Sequence, residues 1–159
     1  MLYSASGNYN YYYLMLGSQG LTWDKLAKRY LYLDTPKPIW IESDKDSNSG
    51  QVRTGDVVYI RMQIGAANSM CQSTDTLYAE WSLGKGSGVW QLYTDIEQTP
   101  GIPIVTGQPL YFYYPLAEAN MVWLVQTDGS YFTGAATAGA QLTFADYDAS
   151  AETETPESD

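Results

Sequence analysis

The sequence predicts an all-β domain built from three similar units of four short strands each. The first sign is a stretch that recurs: Thr54-Gly55-Asp56-Val57-Val58-Tyr59-Ile60-Arg61-Met62 returns as Thr106-Gly107-Gln108-Pro109-Leu110-Tyr111-Phe112-Tyr113-Tyr114. A weaker copy opens the chain at Ser6-Gly7-Asn8-Tyr9-Asn10-Tyr11-Tyr12-Tyr13-Leu14. In each, a glycine is followed four residues later by a tyrosine inside an alternating apolar strand. The leading glycines are 48 and 52 residues apart. The second sign is the punctuation: short apolar runs separated by Gly, Asn, Asp and Ser, as sheet proteins show.

Three further strands follow in each unit. Thirteen residues past the glycines come Gly20-Leu21-Thr22-Trp23, Asn68-Ser69-Met70-Cys71 and Asn120-Met121-Val122-Trp123. The third strands are Leu31-Tyr32-Leu33-Asp34, Leu77-Tyr78-Ala79-Glu80 and Tyr131-Phe132-Thr133-Gly134. The fourth are Ile39-Trp40-Ile41, Val89-Trp90-Gln91-Leu92 and Gln141-Leu142-Thr143-Phe144. Three tandem four-strand units resemble a β-trefoil, with pseudo-threefold symmetry; an open β-sandwich is the alternative. The resemblance spans residues 6–145 and rests on degenerate motifs. The predicted domain covers 1–148, with units at 6–45, 52–96 and 104–146.

Alternation assigns the core. Tyr12, Leu14 and Leu16 share one face of the first strand, with Tyr11, Tyr13 and Met15 opposite. Both faces are apolar, which leaves a partner, including a homodimer, open. In unit two Val58, Ile60 and Met62 face inward; in unit three Leu110, Phe112 and Tyr114 match them. Trp90 and Phe144 also belong inside. In the first unit either Ile39 and Ile41, or Trp40, faces inward. Residues 24–32 have the best helix propensity in the chain and suit one helical turn capped by Asp24. Thr35-Pro36-Lys37-Pro38 then forces an extended entry into the fourth strand.

The polar run 43–50 alternates oxygen ligands as a calcium loop does. It lacks the downstream glutamate and flanking helices, so it reads as a solvated linker. Gly84-Lys85-Gly86-Ser87-Gly88 is a hairpin turn rather than a phosphate loop, since no Gly-Lys-Ser/Thr run opens a helix after it. Residues 97–103 form a proline-bearing linker. Thr127-Asp128-Gly129-Ser130 marks another hairpin, and 133–139 a loop tip. The segment 149–159 is acidic and short of large apolar residues, so it is expected to be disordered.

The 159 residues carry a formal charge of −10, unevenly spread. All eight bases lie between Lys25 and Lys85, balancing eight acids; the rest of the chain has ten acids and no base. That part repels polyanions, which argues against nucleic acid or sulfated sugars as ligands. No run of 18 apolar residues is present, so no transmembrane helix is expected. No secretory signal is visible at the start; with one cysteine, Cys71, no internal disulfide forms. The chain is expected to be cytoplasmic, or secreted without a visible signal peptide.

Histidine is absent, which removes Ser-His-Asp and Cys-His catalysis and the commonest transition-metal ligand. One cysteine cannot make a structural zinc site, and Cys71 reads as a small buried apolar residue. No carboxylate pair stands out. The chain is therefore expected not to be an enzyme and to need no cofactor or metal.

What does stand out is 15 tyrosines, 5 tryptophans and 3 phenylalanines. If Leu31 and Leu33 point in, Tyr32 and Asp34 point out together. If Leu77 and Ala79 point in, Tyr78 and Glu80 do the same, with Trp81 next along the chain. An aromatic ring covers the apolar face of a pyranose while a carboxylate accepts from its hydroxyls. Cross-strand tyrosine packing with solvated acids explains the same pattern. The third unit has Gly134 where the acid would be, so two sites are expected: Tyr32 with Asp34, and Tyr78 with Glu80 and Trp81. Many β-trefoils are lectins, and the resemblance implies glycans as partners. The Gln-x-Trp repeat of ricin-type lectins and the histidine-rich motif of mussel-type ones are missing. The other function that the resemblance implies is protease inhibition, or another protein-binding role, through exposed loops at 44–50, 84–88 or 133–139.

Overall fold

The structure, a computed structural model, describes residues 1–4, 10–23, 31–43, 50–64, 66–73, 76–81, 88–115 and 142–151. Ten strands run through them in chain order: β1 (Tyr12–Leu16), β2 (Gln19–Trp23), β3 (Leu31–Asp34), β4 (Ile39–Ser43), β5 (Val57–Ile64), β6 (Ala66–Ser73), β7 (Thr76–Trp81), β8 (Val89–Tyr93), β9 (Tyr111–Tyr113) and β10 (Thr143–Asp146). Six of them close a barrel. β1 pairs with β4, β4 with β5, β5 with β8, β8 with β9, and β10 with β1, all antiparallel. A bridge between Leu110 and Leu142 shuts the remaining gap, with Leu110 N donating to Leu142 O at 3.1 Å. Two hairpins, β2–β3 and β6–β7, extend from β1 and β5, and β3 and β7 approach each other. This is the barrel and two of the hairpins of a β-trefoil.

The register carries the threefold repeat. Within units, Tyr12 opposes Ile39, Val58 opposes Trp90, and Leu110 opposes Leu142. Between units, Leu14 opposes Phe144, Ile60 opposes Ile41, and Phe112 opposes Leu92. All six of those between-unit side chains are buried and form the centre of the core. Aromatic rings fill it: Trp90 meets Phe112 and Tyr114 edge-on at 5.8 and 4.7 Å, and Phe112 stacks on Phe144 at 6.3 Å.

At the base the repeat becomes a ring of backbone bonds. Leu2 N donates to Ile104 O (3.0 Å), Ile104 N to Val52 O (3.0 Å), and Val52 N to Leu2 O (2.8 Å). The three side chains point into the barrel and are buried. Beside this ring, Gly55 and Gly107 adopt positive φ of 83° and 84°, where a Cβ is strained. Each N–H reaches its own unit's fourth strand, Gly55 to Leu92 O at 3.1 Å and Gly107 to Phe144 O at 2.7 Å. The repeated glycine therefore turns the chain from the base ring into the first strand of its unit.

The first unit departs from the expected alignment. Ten residues separate Leu2 from Tyr12, whereas six separate Val52 from Val58 and Ile104 from Leu110. In the register Tyr12, not Asn10, matches Val58, two places past the match that aligning Gly7 with Gly55 gives. A two-residue slip preserves strand faces, so Tyr12, Leu14 and Leu16 still face the core. β1 begins at Tyr12. The ambiguity in β4 resolves in favour of Ile39 and Ile41, which join the core; Trp40 is buried on the outer side.

Residues 97–103 are more than a linker. Thr54 Oγ1 donates to Thr99 O (2.7 Å) and accepts from Ile102 N (2.9 Å). Arg53 Nη1 donates to Gly101 O at 3.1 Å, and Gln98 is held at φ 62°. Asp95 accepts from Thr99 N (2.9 Å) and Thr99 Oγ1 (2.5 Å); those bonds hold its carboxyl below the usual value.

The helical turn at 24–30, the calcium-like run at 44–49, and the unit-three strands at 120–123 and 131–134 lie outside the described residues. So do most of the 84–88 turn, the 127–130 hairpin, the 133–139 tip and residues 152–159. The start of the acidic segment, Ala149–Ala151, makes one 3-10 turn. Among the described residues no helix is long and apolar enough to cross a membrane.

Candidate functional site

The two expected sites lie on equivalent third strands. Asp34 opposes Gly20 and Glu80 opposes Ser69; Tyr32 opposes Thr22 and Tyr78 opposes Cys71. In both strands the intervening residues, Leu33 and Ala79, are buried, as are Leu31 and Leu77. Tyr32, Tyr78 and Glu80 are half-buried and Asp34 is exposed. Alternation thus sets an aromatic beside a carboxylate twice, at matching places.

Trp81 does not join its neighbours. It follows the alternation of Leu77 and Ala79, so it projects from the opposite face to Tyr78 and Glu80. It is 47% exposed because the strand ends there. Strand periodicity alone separates it from the pair it was grouped with.

The two pairs also differ in their surroundings. In unit two the Cys71 thiol, fully buried, donates to Glu80 Oε2 at 3.4 Å. Burial first, then Cys71 and Glu80, pushes the Tyr78 phenol above its ordinary 10.0. In unit one Thr22 takes the cysteine's place. The strand beside each pair is roofed by a close approach. Pro36 packs on Gly20, where an added Cβ would lie 2.2 Å from Pro36 Cβ. In unit two the small partner sits on the other side: a Cβ on Gly88 would lie 2.4 Å from Ser69 Cβ.

A polar row on the outer face runs behind the unit-two pair. Trp40, Arg61, Ser69 and Glu80 oppose one another in turn across β4, β5, β6 and β7. Arg61 Nη1 donates to Ser69 Oγ at 2.9 Å, and its Nε lies 3.8 Å from Glu42 Oε2. The same carboxylate oxygen accepts from Trp40 Nε1 at 2.8 Å. Beyond Trp40 comes an aromatic cluster. Tyr11 meets Trp40 edge-on at 6.1 Å, and Tyr147 sits against Tyr11 (5.5 Å) and Tyr13 (5.6 Å). Sequence reading placed Tyr11 and Tyr13 on the outer face but did not connect them to Glu42, Arg61 or Tyr147. Tyr147 lies far along the chain and only the β1–β10 pairing brings it near. Among the described residues no group of three or more His, Cys, Asp or Glu is placed to hold a metal.

No protein-family model matches the sequence, and no curated protein matches it. Among solved structures the chain is similar to the crystal structure of botulinum neurotoxin serotype D binding domain, with a TM-score of 0.62 and 14% identity. The match covers 92% of this chain and 44% of that one, so this chain spans less than half the length of its neighbour. At this identity the likeness is one of fold: the all-β, trefoil-type architecture is shared.

Proposed function

We propose that the chain is a non-enzymatic binding module for neutral glycans, with shallow sites at Tyr32 with Asp34 and at Tyr78 with Glu80. The observation behind this reading is the matched register: the same aromatic-plus-carboxylate pair occupies one position in two hairpins. A half-buried ring supplies an apolar face, and the adjacent carboxylate accepts from sugar hydroxyls. Each site holds few ligand atoms, so single-site affinity is modest and two sites gain by avidity. Trp81, on the other face, contributes only from a ligand that reaches around the strand end. The test is a glycan array probed with wild type and with the double variant Tyr32→Ala, Tyr78→Ala. Retention on neutral glycans by wild type and its loss in a folded double variant support the reading. Silence on the array, or full binding by the double variant, ends it.

A second reading, a protease-inhibiting or other protein-binding module, has one observation in its favour. Segment 94–103 presents Ile96, 52% exposed, in a turn closed by Gln98 N donating to Asp95 O and Thr99 N to Asp95 Oδ1. Rigid loops bind with less ordering cost. A protease panel run with wild type and Ile96→Asp separates this reading from the first.

A further inference from the structure

The outer face of unit one carries an aromatic-plus-carboxylate arrangement that is more completely built than either pair above. Its accessible parts are the half-buried rings of Tyr11 and Tyr147, tilted 53° to each other with centroids 5.5 Å apart. Tyr13 and Trp40, both buried, back them. Trp40 also fixes the acid: its indole N–H donates to Glu42 Oε2, and Arg61 faces the same oxygen. Glu42 is 21% exposed, and its other oxygen, Oε1, has no partner among the described residues. So one carboxylate oxygen is anchored and the other is left to accept.

The arrangement is not demanded by the fold. By the register, Trp40 and Glu42 correspond to Gln91 and Tyr93 in unit two and to Thr143 and Ala145 in unit three. Tyr11 corresponds to Val57 and Pro109. A device needed to close the barrel would recur in all three units; this one occurs once. Asp148, next to Tyr147 and holding the Tyr13 hydroxyl through its backbone oxygen, is an exposed acid, which turns away phosphorylated or sulfated ligands.

We propose that Tyr11, Tyr147 and Glu42 form a third binding patch, for a neutral pyranoside. The sugar's C–H face lies on the two tyrosine rings and its hydroxyls donate to Glu42 Oε1. This rests on the glycan reading above and adds a site that it does not contain. Because Trp40 holds the carboxylate in place before the ligand arrives, this patch binds more tightly than the Asp34 pair, whose carboxylate is exposed and unanchored.

Trp40 supplies a local reporter. The five tryptophans give five indole N–H signals in a nitrogen-15 spectrum, and Trp40→Phe identifies the one that belongs here. Lactose, cellotriose and maltotriose are titrated into wild type, Glu42→Gln, Tyr11→Leu and the Tyr32→Ala, Tyr78→Ala double variant. The expected result is movement of the Trp40 signal by at least one sugar, persisting in the double variant. Affinity at that signal should fall about tenfold or more in Glu42→Gln, as for loss of a charged hydrogen bond. Tyr11→Leu, which keeps apolar volume while removing a ring, should weaken it as well; this covers the case in which Glu42→Gln unfolds by stranding Arg61. Sugar binding that leaves Trp40 unmoved overturns this patch and leaves the Tyr32 and Tyr78 sites standing. Binding unchanged in the double variant but lost in Tyr11→Leu overturns those sites and supports this one. No response to any sugar overturns both. A Trp40 response to tetramethylammonium but to no sugar also overturns the assignment, and marks the rings as a cation site.

Discussion

Gly20→Ala tests the close approach that roofs the unit-one pair. Gly20 has no unusual φ, so the substitution meets a contact problem rather than a backbone one. The new Cβ would lie 2.2 Å from Pro36 Cβ, 2.8 Å from Pro36 Cγ and 2.9 Å from Met15 Sδ. The methionine can swing away, but the proline ring cannot. Relief therefore requires the Asp34–Pro38 segment to lift off β2. Overpacking of this kind costs about 1–3 kcal/mol. For a chain of this size that is a fall in Tm of roughly 2–12 °C. Thermal unfolding of Gly20→Ala, Pro36→Gly and the double variant forms a cycle. Pro36→Gly removes the obstructing ring, so the double variant should be less destabilised than the two single changes together, by roughly 0.5–3 kcal/mol. A Gly20→Ala protein melting within about 1 °C of wild type, or a cycle that is purely additive, would refute the packing argument. Because Asp34 opposes Gly20, the same variant should also weaken any glycan response at Tyr32.

Thr54→Val should cost roughly 1–3 kcal/mol in chemical denaturation, since one hydroxyl serves both Thr99 O and Ile102 N and leaves each without its partner. The Cys71 thiol, fully buried, should resist alkylation in the native protein and react only at the rate of unfolding. Burial raises the phenols of Tyr12, Tyr78 and Tyr93 above 10.0, so the folded state holds these protons more tightly than the unfolded chain. Their stabilisation is fully present below pH 10.0 and is lost as pH rises through the folded values; Tm should fall with pH above that point and be flat from this source below it. Asp95 works in the opposite sense, through its bonds from Thr99: its contribution is present above the ordinary carboxyl value of 3.8 and disappears as pH falls through its lowered one.

Alternation made the barrel faces legible, because a strand with period two must bury every second residue. Val58, Ile60, Met62, Leu110, Phe112 and Tyr114 are all inside. The same rule, applied strictly, separates Trp81 from Glu80. Where both faces are apolar the rule goes silent, as at Ile39, Trp40 and Ile41. There the decision is made by Glu42 and Tyr11, which give Trp40 a hydrogen bond and an edge contact on the outer side. The glycine repeat located the units but misaligned the first, because its extra residues between Leu2 and Tyr12 include Gly7. The spacing of thirteen also matched Gly20 to Asn68, whereas the register matches it to Ser69, an offset of one. The braced 94–103 segment was hidden for another reason. Its partners Arg53 and Thr54 lie 45 to 48 residues away, and no local pattern encodes such bonds.

The ring formed by Leu2, Ile104 and Val52 makes each unit the donor to one neighbour and the acceptor from the other. It has no end from which to fray. Removing one unit leaves the other two with an unmatched donor and an unmatched acceptor, so the domain gains nothing from being two-thirds assembled. Opening should be all or none, and the amide hydrogens of residues 2, 52 and 104 should exchange with solvent at a common slow rate. Any one of the three amides is thereby a gauge of global stability.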